Sequence, residues 1–105
     1  RYKKGKFHMY TVTTIIRAHK GSEALVYAEL LKVGAYAQEY EQATIGYYVA
    51  QDLEEPCVFT TYERYTDKAA MEMHNNGAGT QEFFVATSNH LDGEVIIVAA
   101  KEIWP

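Results

Sequence analysis

The sequence holds one cysteine, Cys57, and two prolines in 105 residues. A single thiol excludes an internal disulfide framework. With two prolines and seven glycines, long irregular loops should be few. Basic residues are in the minority: ten Lys and Arg against fourteen Asp and Glu leave a net charge of -4. A binder of the phosphate backbone needs a basic face, so nucleic acid is not an expected partner. No apolar run approaches the roughly 20 residues of a membrane span. No segment reads as a secretory signal, and the expected location is the cytoplasm. No repeat or low-complexity tract interrupts the chain. The length suits one domain. Aromatic residues are plentiful: nine Tyr, four Phe and one Trp. So many phenols in a small acidic domain point to aromatic-lined packing, with hydroxyl tips available to a pocket.

Residues 1–8 stand apart, with four of the ten basic residues and no period. The His8-Met9 step matches a cloning scar, so this stretch is expected to be a tag remnant or disordered basic arm; a natural basic extension is the alternative. The folded domain is expected over 9–105. Met9 to Ala18 reads as a strand, rich in β-branched residues. Lys20-Gly21 ends it, and Ser22 is a fitting N-cap with Glu23 in the first turn. A helix follows to about Glu41, with Val26, Leu30, Val33, Ala37 and Tyr40 on one buried stripe and Glu29, Lys32, Glu39 and Glu41 largely on other faces. Gly34 in its middle suggests a close neighbour. Thr44 to Gln51 and Cys57 to Tyr65 read as an antiparallel hairpin. Asp67 caps a short helix to His74, and Asn75-Asn76-Gly77 stops it through left-handed backbone. Another helix runs from Gly79-Thr80 to about Asn89. Glu94 to Ile103 is the last strand, apolar on both faces and so expected to be buried on both. The order β-α-β-β-α-α-β is the ferredoxin-like α+β plan: a four-stranded antiparallel sheet with helices on one face. The other face is too apolar to leave wet, so a homodimer is expected.

Several residues in this order resemble the antibiotic biosynthesis monooxygenase domain. They are Gly46-Tyr47-Tyr48-Val49-Ala50-Gln51-Asp52, Pro56 and Phe59, Tyr62-Glu63-Arg64-Tyr65, Ala70 and His74, and Phe83. The resemblance covers about residues 9 to 104. It implies a dimeric α+β barrel with a cavity between sheet and helices in each subunit. It also implies cofactor-free oxidation of a phenolic or hydroquinone-like molecule to a quinone by dioxygen. Other members are quinol monooxygenases, an isomerase of a signalling sugar, and proteins without known activity, so the fold alone does not decide the chemistry. Tyr65 stands where the family often has Trp. Thr61 stands where some members have Asn. The closely similar haem-degrading group carries an Asn on strand one, where this chain has Thr13 and Thr14.

Alternation sends Phe59, Thr61, Glu63 and Tyr65 to one face of the third strand and Thr60, Tyr62 and Arg64 to the other. The resemblance puts Thr61 and Tyr65 on the cavity side. His74 is the candidate proton acceptor, because an imidazole takes a phenol proton near neutral pH and then holds the phenolate. A structural histidine at a helix end is the alternative. Tyr65 and Tyr48 are candidates to donate to a substrate oxygen or to stack on its ring, with core or dimer packing as the alternative. Thr61, Phe59, Phe83 and Met73 complete the expected substrate-binding set; Met and aromatic faces also serve as plain core. Trp104 is a candidate contact with a partner subunit, and Glu63 with Arg64 a structural ion pair or dimer contact. His8, His19, His74 and His90 are scattered, so no metal site is expected, and no cofactor is implied. Cys57 reads as a buried structural thiol. Three activities stay open: the monooxygenase, a proton-moving isomerase or cyclase in the same cavity, and a non-catalytic small-molecule binder.

Overall fold

The computed structural model describes residues 8–105. The elements run β1 (Tyr10–Arg17), α1 (Glu23–Tyr40), β2 (Thr44–Gln51), β3 (Val58–Tyr65), α2 (Lys68–Asn76), α3 (Ala78–Thr87) and β4 (Ile96–Lys101). This is the expected β-α-β-β-α-α-β order. The strands form one antiparallel sheet in the order β2-β3-β1-β4, open at both edges. Of the basic N-terminal stretch, 1–7 lie outside the described residues. His8 is half-buried, with Nδ1 3.1 Å from the Glu102 carbonyl.

The sheet's inner face is set by strict alternation. Val12, Thr14 and Ile16 of β1 and Phe59, Thr61, Glu63 and Tyr65 of β3 are all buried. Against them α1 lays Val26, Leu30, Val33 and Ala37, the 4-3-4 stripe that its sequence spells out. Val26, Leu30 and Val33 each stabilise the fold by about 1.5–3 kcal/mol through burial, and Leu30→Ala would cost about 2–5 kcal/mol. Tyr40, the fifth member of the expected stripe, is exposed. It lies in the last turn of the helix, packed on Tyr36 with ring centroids 4.9 Å apart. Gly34 meets the expectation of a close neighbour, because a Cβ there would stand 3.2 Å from the Tyr47 ring.

Four local expectations change. Ser22 does not cap α1 with its side chain; its Oγ lies 2.9 Å from His90 Nδ1, and Gly21 N–H donates to Glu23 Oε1 instead. Gly77 is extended, not left-handed, and Asn75 and Asn76 still belong to α2. Glycine is needed there for closeness: a Cβ would lie 2.8 Å from the Met73 carbonyl oxygen. Cys57 is only partly buried, within 3.8 Å of the His19 carbonyl and 3.7 Å of Glu23 Oε1. Burial and Glu23 push its thiol up, away from nucleophile chemistry. Finally, β4 is not buried on both faces. It is an edge strand and exposed along its length in the single chain. Its inner face borders the cavity described next, and no helix lies over its outer face.

Candidate functional site

Between the sheet and the helices lies a cavity of about 220 Å³. Its walls are mostly apolar: Val12 and Ile16 from β1, Leu30 and Val33 from α1, Phe83 and Phe84 from α3, and Val95 and Ile97 toward the β4 edge. Its polar end gathers Thr14, Tyr47, Thr61, Glu63, His74, Asn75 and Thr80. A cavity of about 150 Å³ lined by apolar groups accepts benzene, so this one has room for a ring with substituents. It falls short of the roughly 300 Å³ at which sites for drug-sized ligands begin.

The polar end is built from five elements, β1, β2, β3, α2 and α3. His74 sits in the last turn of α2 and is 4% exposed. Asp67 Oδ1 caps α2 by accepting from Ala70 N–H at 2.8 Å. Thr80 Oγ1 donates to the His74 carbonyl at 2.8 Å, which pins the start of α3 to the end of α2. The imidazole then lies between two carboxylates. Nδ1 is 2.6 Å from Glu41 Oε1, and Nε2 is 3.7 Å from Glu63 Oε1. An ionised carboxylate only accepts, so Nδ1 carries the hydrogen. The Tyr47 and Tyr65 rings flank the imidazole with centroids at 5.9 and 5.4 Å.

Glu63 is 5% exposed and fully engaged. Tyr65 O–H donates to its Oε1 and Thr61 O–H to its Oε2, both at 2.6 Å. Thr61 thus spends its one proton, and the 2.6 Å contact between the Thr14 and Thr61 hydroxyls must be donated by Thr14. The chain Thr14, Thr61, Glu63 is therefore polarised in one direction. Loss of water around the buried phenols, with the Glu63 charge beside them, pushes Tyr47 and Tyr65 well above the usual phenol range. Both stay hydrogen donors at any physiological pH.

The structure brings together part of the expected set. His74, Thr61 and Phe83 line the cavity. Tyr65 is wholly buried beside it, with its hydroxyl committed to Glu63. Phe59 is buried in the core behind the cavity, edge-on to Tyr27. Met73 is 73% exposed, one residue out of phase with His74 on α2. Tyr48 is 60% exposed on the opposite face of the sheet, stacked on its cross-strand partner Tyr62. The cavity tyrosine of β2 is its neighbour Tyr47, across from Glu63 in register.

Glu63 and Arg64 do not pair. They point to opposite faces, and Arg64 makes a bidentate bridge to Glu102 at 2.8 and 2.9 Å. Tyr62 O–H adds a bond to the same carboxylate at 2.7 Å. Those donors hold the Glu102 carboxyl down to about 2. Trp104 is exposed in the single chain.

Sequence reasoning passed over Glu41, Tyr47 and Thr14 as site residues and gave Glu63 another role. For Glu63 the signal was present, since an acidic residue at an inward strand position is rare unless partnered. For Tyr47 it lay in the gap left by Gly34.

Among the described residues no three His, Cys, Asp or Glu side chains converge to hold a metal ion. The two nitrogens of His74 face different carboxylates on opposite edges of the ring. No described helix is long and apolar enough to cross a membrane.

Comparison with solved structures gives the same fold at low identity. A Nitrosomonas europaea protein, named only provisionally as an antibiotic biosynthesis monooxygenase, superposes with a TM-score of 0.87 at 14% identity, covering 100% of this chain and 98% of that one. A Caulobacter crescentus protein with the same provisional name gives 0.85 at 16%, covering 93% and 92%. A Pseudomonas aeruginosa protein gives 0.81 at 22%, covering 97% and 100%. No curated protein matches the sequence. Residues 9–86 match the antibiotic biosynthesis monooxygenase family, and the chain belongs to that family, as a monooxygenase-like domain.

Proposed function

We propose that this domain is a cofactor-independent monooxygenase that oxidises a small phenol or hydroquinone, of one or two rings, to a quinone. The observation that carries the reading is His74, buried between two carboxylates at the polar end of an apolar cavity of about 220 Å³. The apolar walls suit an aromatic ring. Nε2 of His74 takes the phenol proton, and Glu41 stabilises the imidazolium that forms. The phenolate is electron-rich enough to pass an electron to dioxygen, and the two radicals combine to form a carbon–oxygen bond at a ring carbon that carries hydrogen, para to the phenol oxygen in a phenol and ortho to it in a hydroquinone. The resulting peroxide breaks its O–O bond. One oxygen stays on carbon and the other leaves as water, with the ring hydrogen and the phenol hydrogen. Phenol plus dioxygen thus becomes quinone plus water. The substrate supplies all four electrons, so no further reductant enters. In this reading Tyr47, which lines the cavity, donates to an oxygen of the ligand, and Tyr65 and Thr61 act through Glu63 by holding its carboxylate still.

The working unit in this reading is a homodimer. The outer face of the sheet carries Tyr48, Tyr62, Ile96 and Val98, all exposed in the single chain, and a second copy would cover them.

Dioxygen uptake by the purified protein, tested with one- and two-ring phenols and hydroquinones, checks the reading. Uptake matched by quinone formation is expected, with a loss of about 100-fold or more in kcat for His74→Ala. Uptake unchanged in the variant would remove His74 as the base. A second reading, a proton-moving isomerase, draws on the same carboxylate–imidazole–carboxylate row, which needs no oxygen to shift a proton. Turnover under anaerobic conditions would select it.

A further inference from the structure

His74 borders two separate hollows. Its Nε2 edge, beside Glu63, faces the inner cavity. Nδ1 is bonded to Glu41, which does not line that cavity but a second cleft of about 420 Å³ between the end of α1 and α2. Tyr36, Tyr40, Thr44, Met73 and Gly77 line that second cleft together with Glu41 and His74. Glu41 stands at the C-terminal cap of α1, with its side chain 14% exposed. Thr44 O–H donates to its Oε1 at 3.0 Å. A Cβ on Gly77 would lie 3.4 Å from its Oε2, so the missing side chain leaves that oxygen open to the cleft. The imidazole therefore stands between a carboxylate that lines the first cavity, Glu63, and one that lines the second cleft, Glu41.

We propose that Glu41 is the proton store of this site: a proton taken from the ligand at Nε2 is passed on from Nδ1 to the Glu41 carboxylate, in the neighbouring cleft, and returned later. This deepens the monooxygenase reading and rests on it for the identity of the ligand. The bookkeeping closes. The phenol O–H bond breaks as Nε2–H forms, and Nδ1–H breaks as the Glu41 O–H forms. The ring is left neutral, protonated on Nε2 alone. When dioxygen has become a peroxide anion, Nε2–H supplies its proton and Glu41 restores Nδ1–H. No net proton is lost, in keeping with a reaction whose only products are quinone and water.

The arrangement has a physical reason. A phenolate beside a full imidazolium is stabilised and gives up its electron reluctantly. Moving the charge 2.6 Å farther, to Glu41, returns a neutral ring to the cavity side. The titratable groups facing His74 are Glu41 from α1, Glu63 and Tyr65 from β3, and Tyr47 from β2. Of these Glu41 is the one that shares the second cleft with it. Glu63 is not the store, because its nearer oxygen stands 3.7 Å from Nε2, beyond hydrogen-bond reach, whereas Glu41 is bonded to Nδ1 at 2.6 Å.

The test uses 4-nitrophenol, whose para carbon is blocked against oxygenation and whose phenolate is coloured. Nitrogen NMR of His74 reads which ring nitrogen carries the proton, and the visible band reads ionisation of the bound probe. In the free protein the proton is expected on Nδ1; with the probe bound it is expected on Nε2, with the phenolate band present. Glu41→Gln has nearly the same shape but cannot take the proton, and its amide can donate to Nδ1. That variant should show Nε2–H already in the free protein, and bind the probe without the phenolate band. An unchanged band and an unchanged nitrogen pattern in Glu41→Gln would overturn the store while leaving His74 as the base. A wild-type protein with Nε2–H at rest would also overturn it, and that measurement needs no variant. Failure of the wild type to bind 4-nitrophenol at all would instead count against the phenol reading on which the store rests.

Discussion

Replacing Tyr65 by Phe deletes one oxygen atom and nothing else, so its cost reads the polar network directly. The Tyr65 ring is fully buried and its hydroxyl donates to Glu63 Oε1 at 2.6 Å. Without it, Oε1 is left with His74 Nε2 at 3.7 Å, beyond hydrogen-bond reach. The ring remains, so the packing loss is small. A hydrogen bond to a charged group contributes about 1.5–3 kcal/mol, and Tyr65→Phe should therefore cost about 2 kcal/mol. For a domain of this length that lowers Tm by about 8–16 °C. Urea unfolding followed by circular dichroism measures it. Glu63→Gln supplies the control: with a neutral acceptor the same bond is worth about 1 kcal/mol, so the two changes should couple by about 1 kcal/mol. A Tyr65→Phe protein within about 0.5 kcal/mol of wild type, or an equal cost in both backgrounds, would refute the claim that Glu63 is a buried carboxylate held by this phenol.

Other consequences follow from the outer face and the backbone. Glu102 has a folded-state pKa of about 2 against an ordinary 4.5. The Arg64–Glu102–Tyr62 cluster therefore adds stability that is fully present above about pH 5 and is lost as the pH falls toward 2. The stability gap between wild type and Glu102→Gln should close over that window, and a gap independent of pH would contradict it. Gly77→Ala should destabilise by about 1–3 kcal/mol, because the new Cβ meets a backbone oxygen at 2.8 Å that no rotamer change can relieve. A neutral result in thermal unfolding would mean that the α2–α3 junction relaxes freely. Light scattering should return about twice the chain mass of 11.9 kDa for wild type, and a folded monomer for Val98→Asp. A monomeric wild type would dismiss the dimer.

Much of the architecture was legible because it rests on periods of two and 3.6 residues. The stripe Val26, Leu30, Val33 and Ala37 places α1 on the sheet, and alternation along β3 sorts Thr61, Glu63 and Tyr65 from Tyr62 and Arg64. His74 stood out through the helix that carries it, and the structure puts it on the cavity wall. Tyr48 and Met73 show how the same method errs. Each is one residue away from the cavity residue, Tyr47 or His74, and in a strand or helix one residue changes the face.

What the sequence by itself determined is the order of the elements and which face of each is apolar, because both are local properties of neighbouring residues. Tertiary structure alone decided the partners. Glu41 meets His74 across 33 residues, and Arg64 chooses Glu102, 38 residues away, over its neighbour Glu63. Such choices depend on where chain reversal sets the helix ends, and on which strand lies beside which. Whether β4 is a central strand or an edge is decided in the same way. Its composition, Ile96-Ile97-Val98-Ala99-Ala100, suits either, and only the strand order β2-β3-β1-β4 leaves it on the outside.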